Sequence, residues 1–249
     1  MTNNNMIFIA NWKMNGEKQH ISDVNNTIKF LKKSKFKKNQ IIYCPPFTLI
    51  TVIKNKVKNT NIKIGAQNIH YLNDYGAYTG SVNSKLIRSA GADYVIIGHS
   101  ENRSKDDDLI INKKIQSALK EKLKVIFCIG ETLKEKKLKL TYKVLKKQIT
   151  IALKNIQKIN NIIFAYEPRW AIGTGKIPKT PELRKNFSDI TKIINQFKKK
   201  QSFNIIYGGS VNSKNVSELT KIKDLKGFLI GSASLRSKNF IDIIKKSTN

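Results

Sequence analysis

The amino-acid sequence predicts an α/β protein: one closed (β/α)8 barrel of eight parallel strands, a single domain spanning residues 1–249. Eight short apolar runs, rich in β-branched residues, are continuous rather than alternating, as expected of strands buried on both faces of a parallel sheet. Lysine-rich segments with helical periodicity separate them, which is the alternation of an α/β fold. Eight alternations within 249 residues suit a closed barrel better than an open doubly wound sheet. No G-x-G-x-x-G fingerprint follows an early run, and no Pro/Ser-rich linker divides the chain.

Taken in order, residues 6–10 (MIFIA) form the first expected strand and lead into Asn11 and Lys13. Residues 41–44 (IIYC) and 62–66 (IKIGA) are the second and third, the latter followed by Gln67 and Asn68. Residues 94–98 (YVIIG) run into His99, Ser100 and Glu101, residues 125–129 (VIFCI) into Glu131, and residues 162–166 (IIFAY) into Glu167. Residues 204–208 (NIIYG) carry Tyr207 and lead to Gly209 and Ser210, and residues 227–231 (GFLIG) end at Gly231 and Ser232. The clearest helix lies between the fifth and sixth runs. There Leu138, Tyr142, Leu145, Ile149, Leu153 and Ile156 recur every third or fourth position, with Lys139, Lys143, Lys146 and Lys147 on the complementary face. This pattern is an outer helix packed on a sheet rather than a membrane helix.

Basic residues number 47 and acidic residues 17, a formal charge of +30, and five of the basic residues are arginine. Such a charge draws anionic substrates and allows non-specific contact with polyanions. The lysines are spread along the whole chain without interleaved aromatics, so they read as a solvated coat rather than a nucleic-acid platform. A catalytically impaired basic barrel that binds polyanions is the alternative reading. Cys44 and Cys128 each end an apolar run and are expected to be buried thiols of a reducing cytosol. His20, His70 and His99 share no ligand spacing with them, so no metal is expected. The start MTNNN is polar, and the run at 6–10 is too short for a signal or a membrane span, so a cytoplasmic protein is expected.

Active sites in this architecture lie at the C-terminal ends of the strands, so the residues after each run converge on one rim. Glycine and serine after the last two runs present backbone N–H groups suited to an anion, and phosphate is often held there. Lys13 adds a cation beside Asn11. Glu167 and His99 form an acid–base pair with no nucleophilic Ser or Cys beside it, which points to proton transfer rather than acyl transfer. After Glu167, Pro168 and the Gly173-Thr174-Gly175 turn bracket Trp170, Ala171 and Ile172. A segment with stiff ends and an apolar tip is suited to closing over a site and excluding water.

The motifs NWKMN (11–15), CPPFT (44–48), GAQN (65–68), GAYTG (76–80), GHSE (98–101), CIGET (128–132), YEPRWAIGTGK (166–176), YGGSV (207–211) and ASL (233–235) occur in this order. On them the chain resembles the triosephosphate isomerase family over essentially its whole length. The resemblance implies a TIM barrel that interconverts dihydroxyacetone phosphate and D-glyceraldehyde 3-phosphate in glycolysis and gluconeogenesis, with no cofactor. It implies that Glu167 is the base, that His99 polarises the carbonyl and shuttles protons, and that Lys13 and Asn11 stabilise the enediolate. Gly173, Ser210, Gly231 and Ser232 would hold the phosphate, with Ser100, Glu101 and Tyr207 in support. A homodimer is implied as well, with Thr79 as the tip of a loop (75–81, YGAYTGS) inserted into the partner.

The chain departs from the family pattern in several places. Ser232 stands where a glycine is usual, which adds strain if φ is positive there. Pro178, at the C-terminal hinge of the lid, has no N–H to offer the Tyr207 hydroxyl, so the hinge is expected to be held in another way. Ser81 and Asn102 occupy positions commonly held by a glutamate and an arginine, and the stretch SKDDD (104–108) is shorter than usual. These changes bear on the expected interface more than on catalysis.

Overall fold

Each of the eight apolar runs forms a strand in the computed structural model, which describes residues 5–32, 35–199 and 201–248. The polar start at positions 1–4 lies outside the described residues. The strands are β1 (Ile7–Asn11), β2 (Gln40–Cys44), β3 (Lys63–Ala66), β4 (Tyr94–Ile97), β5 (Lys124–Ile129), β6 (Ile162–Tyr166), β7 (Asn204–Tyr207) and β8 (Leu225–Ile230). All neighbours are parallel, and β8 pairs with β1 to close the barrel.

Both faces of the sheet are covered, which explains the unbroken apolar runs. Ile7, Ile9, Ile96, Ile126, Ala165 and Leu229 belong to the smaller buried cluster, which fills the barrel interior. Alternate residues such as Phe8, Tyr43, Val95, Phe127 and Phe164 join the larger cluster between the sheet and its helices. That cluster draws Val24 from α1 (Ile21–Lys32), Ile53 from α2 (Ile50–Val57) and Ile87 from α3 (Ser84–Ser89). The remaining helices are α4 (Asp108–Lys120), α5 (Leu133–Lys137), α6 (Thr141–Ala152), α7 (Thr180–Phe197), α8 (Val216–Leu219) and α9 (Ser237–Ser247).

Local chemistry sets the starts of several of them. Asp107 caps α4, its carboxylate accepting from Ile110 N–H at 2.8 Å. Thr132 and Glu135 form a reciprocal capping box on α5. The helix expected from Leu138 onward is corrected by the structure: α5 ends at Lys137, and α6 begins at Thr141. Lys139 adopts φ 55 in this break, a left-handed conformation that cannot continue an α-helix. Leu138 and Tyr142 are accordingly exposed, whereas Leu145, Ile149, Leu153 and Ile156 are buried as the periodicity predicts.

Candidate active site

Successive side chains of a strand point to opposite faces, and this parity decides which rim residues reach the barrel axis. On β1, Asn11 continues the inward series of Ile7 and Ile9; beyond β6, Glu167 continues that of Ile163 and Ala165. Beyond β8, Gly231 follows Leu229 in the same way. Asn11, Lys13, His99 and Glu167 line one cavity, and Gly173, Ser210, Gly231 and Ser232 line it with them.

Glu167 is 3% exposed, and its Oε2 is buried without a hydrogen-bond partner. Burial pushes its carboxyl above the usual carboxylate range, while His99, the Cys128 thiol, Lys13 and Arg103 pull it partly back. Gly208 makes room for the side chain: a Cβ there would lie 2.6 Å from Glu167 Cγ. His99 Nε2 stands 3.6 Å from Glu167 Oε1. The other ring nitrogen, Nδ1, accepts the backbone N–H of Glu101 at 3.3 Å, which leaves the imidazole proton on Nε2, facing the cavity.

Lys13 adopts φ 54 and is held there from both sides. Its N–H donates to Asn11 Oδ1 at 3.1 Å, and its carbonyl accepts from Gln67 Nε2 at 2.8 Å. The ammonium donates to Glu101 Oε1 at 2.6 Å. Ser100 contributes through its backbone, its carbonyl accepting from Arg103 N–H. Ser232 opens a short 3₁₀ turn (Ser232–Ser234) with a negative φ, so the serine brings no left-handed strain.

The segment expected to act as a lid follows Glu167. Trp170 donates its indole N–H to Glu131 Oε1 at 2.8 Å, and the Lys136 ammonium lies 3.6 Å from the centroid of the indole. Lys136 also pairs with Glu182 Oε1 at 2.7 Å, in the first turn of α7, just beyond the lid's far hinge. Gly173, Thr174, Gly175 and Lys176 are exposed. Gly173 and Gly175 have φ 70 and 74, a conformation that glycine accommodates without cost.

Residues 6–247 match the family model for triosephosphate isomerase. The chain belongs to the triosephosphate isomerase family, a family of isomerase enzymes. The triosephosphate isomerase of Alkaliphilus oremlandii is 38% identical over 246 residues, covering 96% of this chain and 98% of its own. That of Aquifex aeolicus is 38% identical over 245 residues, covering 96% and 98%. The crystal structure of triosephosphate isomerase from Bartonella henselae superposes with a TM-score of 0.88 at 31% identity, covering 98% of this chain and 99% of that one.

Not every rim residue of this family member reaches the cavity. Glu131 follows β5 with outward parity and is fully buried among Tyr166, Trp170 and, through Tyr166, Asn186. It anchors Trp170 near the start of the segment after Glu167 instead of facing the cavity. Thr79 is exposed in its loop, outside the cavity. Cys128 is the neighbour of Glu167 that reading the sequence missed: it is fully buried beside the carboxylate, and burial pushes its thiol well above the ordinary value. Inward parity on the strand beside β6 was the available signal. Among the described residues no group of three or more His, Cys, Asp or Glu is placed to hold a metal, and no helix is long and apolar enough to cross a membrane.

Tyr207 lies below the cavity with outward parity, and its hydroxyl is buried without a hydrogen-bond partner. Pro178, at the expected hinge, offers it no N–H of its own. Tyr207→Phe is therefore expected to leave kcat within about threefold and to stabilise the fold by about 1 kcal/mol, since an unsatisfied buried hydroxyl is removed. Thermal melts and steady-state kinetics check this, and a sharp fall in kcat would reveal a partner formed only when the lid closes.

Proposed function

We propose that the chain interconverts dihydroxyacetone phosphate and D-glyceraldehyde 3-phosphate through an enediolate, as a cytoplasmic homodimer serving glycolysis and gluconeogenesis. The observation that carries this reading is the buried Glu167 carboxylate facing the protonated Nε2 of His99 at 3.6 Å, in a cavity shared with the Lys13 ammonium. Glu167 takes a carbon-bound proton and returns it to the neighbouring carbon. Burial raises its basicity, and so strengthens the base once it is ionised. His99, neutral, donates from Nε2 to the carbonyl oxygen and passes the proton between the two oxygens.

The charge that develops on the enediolate is met by preorganised donors, the Lys13 ammonium and the Asn11 amide. Ser210, the Gly231 and Ser232 amides and, from the lid, the Gly173 N–H hold the phosphate. Glu101 positions Lys13 and His99 rather than abstracting a proton, since it contacts both. Lid closure keeps water from the enediolate phosphate, which would otherwise eliminate phosphate. Proton transfer within a single substrate exchanges no electrons with a second reactant, so the reaction calls for no cofactor.

Dimerisation is supported by exposed apolar side chains on the loops. Met14 is 98% exposed, and Tyr75 and Tyr78 flank Thr79 at 72% and 50%. Large apolar side chains clustered on loops are typical of a surface covered by a partner. The buried pair of Lys114 with Asp106, at 2.5 Å, and the Lys114 bond to Asn68 Oδ1, at 3.0 Å, brace the neighbouring loops.

The test is kcat/KM for D-glyceraldehyde 3-phosphate across a range of salt, with sedimentation of the same samples. The expected result is a dimer whose kcat/KM falls by about tenfold between ~10 and ~150 mM ionic strength, as the Debye length shrinks and steering by the +30 chain is screened. No isomerisation at any salt would sink the proposal, and a fully active monomer would sink its dimeric part.

A further inference from the structure

The β4–β5 ladder ends at the pair Ile97 and Phe127, one residue short of the segment that carries His99. At the next rung the Arg103 guanidinium takes the place of the ladder. Its Nε donates to Gly98 O at 2.9 Å and its terminal nitrogen to Cys128 O at 3.0 Å. The third arm of the fork is held by Asp108 Oδ1, in the first turn of α4, at 2.9 Å. The Arg103 side chain is 8% exposed, so this is a buried and satisfied cation rather than a member of the lysine coat.

The two carbonyls belong to residues next to the reacting pair. Gly98 immediately precedes His99 and adopts φ 77, where a Cβ would lie 2.9 Å from Cys128 O. The two strand ends are therefore in contact, and a turn at Gly98 turns the imidazole. Ile129, the residue after Cys128, accepts the Glu167 N–H at 2.7 Å, so the end of β5 also holds the backbone of Glu167. We propose that Arg103 is a positioning residue of the isomerase: by clipping the ends of β4 and β5 together it sets the relative placement of His99 and Glu167.

A planar fork is needed for this task, because a lysine supplies the same charge as a point donor and cannot bind two carbonyls and a carboxylate in one plane. The inference rests on Glu167 and His99 being the reacting pair. The experiment compares the wild-type chain with Arg103→Lys and Arg103→Gln, reading kcat and KM for D-glyceraldehyde 3-phosphate and the inhibition constant of inorganic phosphate. The expected result is a kcat lower by about 10²-fold in both variants, the cost of a misplaced reacting group. KM and the phosphate constant stay within about threefold, because the anion site lies on other strand ends.

A wild-type kcat in Arg103→Lys overturns the proposal, and so does a loss carried by KM and phosphate affinity together, which would mean general loosening. Inactivity of the wild-type chain itself would overturn the functional reading as well. Should either Arg103 variant fail to fold by circular dichroism, Asp108→Ala decides. Having no side-chain acceptor, the alanine frees one arm of the fork; kcat is expected to fall several-fold at constant KM, and an unchanged kcat overturns the proposal.

Discussion

Glu167→Gln is expected to lower kcat by about 10³-fold or more, within the range of a lost general base. Inorganic phosphate should still inhibit the residual activity competitively with an unchanged constant, since the amide keeps the shape of the site. Residual activity within about tenfold of wild type would remove Glu167 from its role as base. The same substitution is expected to stabilise the fold at neutral pH. Burial raises the carboxyl's folded-state pKa, so the native chain binds its proton more tightly than the unfolded chain does. Stability from this group is thus greatest below the ordinary carboxylate value of about 4.3 and is lost as pH rises through the raised folded value. Gln carries no such penalty, so melts of the two proteins should diverge at pH 7, with Gln the higher, and converge near pH 4.

Lys13→Ala is expected to reduce kcat/KM by about 10² to 10³-fold, the loss typical when one donor to a developing oxyanion is removed. Lys13 also stands in a left-handed conformation at φ 54 that costs a non-glycine residue about 1 kcal/mol. Lys13→Gly should therefore be as inactive as Lys13→Ala yet more stable than it by about 1 kcal/mol. Comparing the two variants by kinetics and by denaturant unfolding separates the ammonium from the backbone that carries it. Equal activity of Lys13→Ala and wild type would refute the electrostatic role.

The strands and their closure were legible because a residue buried on both faces must be apolar at every position, and that leaves a continuous run. The rim was legible only in part. Listing the polar residues after each run treats them alike, yet parity sends Asn11 and Glu167 inward and Glu131 outward to Trp170 and Tyr166. Counting two residues at a time from Ile126 and Cys128 would have separated them. The break between α5 and α6 was hidden for a different reason. Leu138 and Tyr142 keep the helical spacing, but Lys139 gives no sign in its side chain of the left-handed backbone it adopts. The Arg103 clip joins atoms of three segments, two of them main-chain carbonyls, and carbonyls carry no sequence signature.

The Lys136 ammonium, set between the Trp170 indole and the Glu182 carboxylate, ties the start of the lid to the helix that follows its end. In polymer terms the proposed lid is a loop already cinched at its neck, and the span left to close is what lies between Trp170 and Glu182. Ordering each residue of a mobile segment costs about 1 to 2 kcal/mol of conformational entropy, so a shorter free span has less disorder to surrender when it folds over a ligand. On the proposed reading, in which the Gly173 N–H contacts the phosphate, more of the attraction between phosphate and lid then remains for holding the reacting carbon against Glu167.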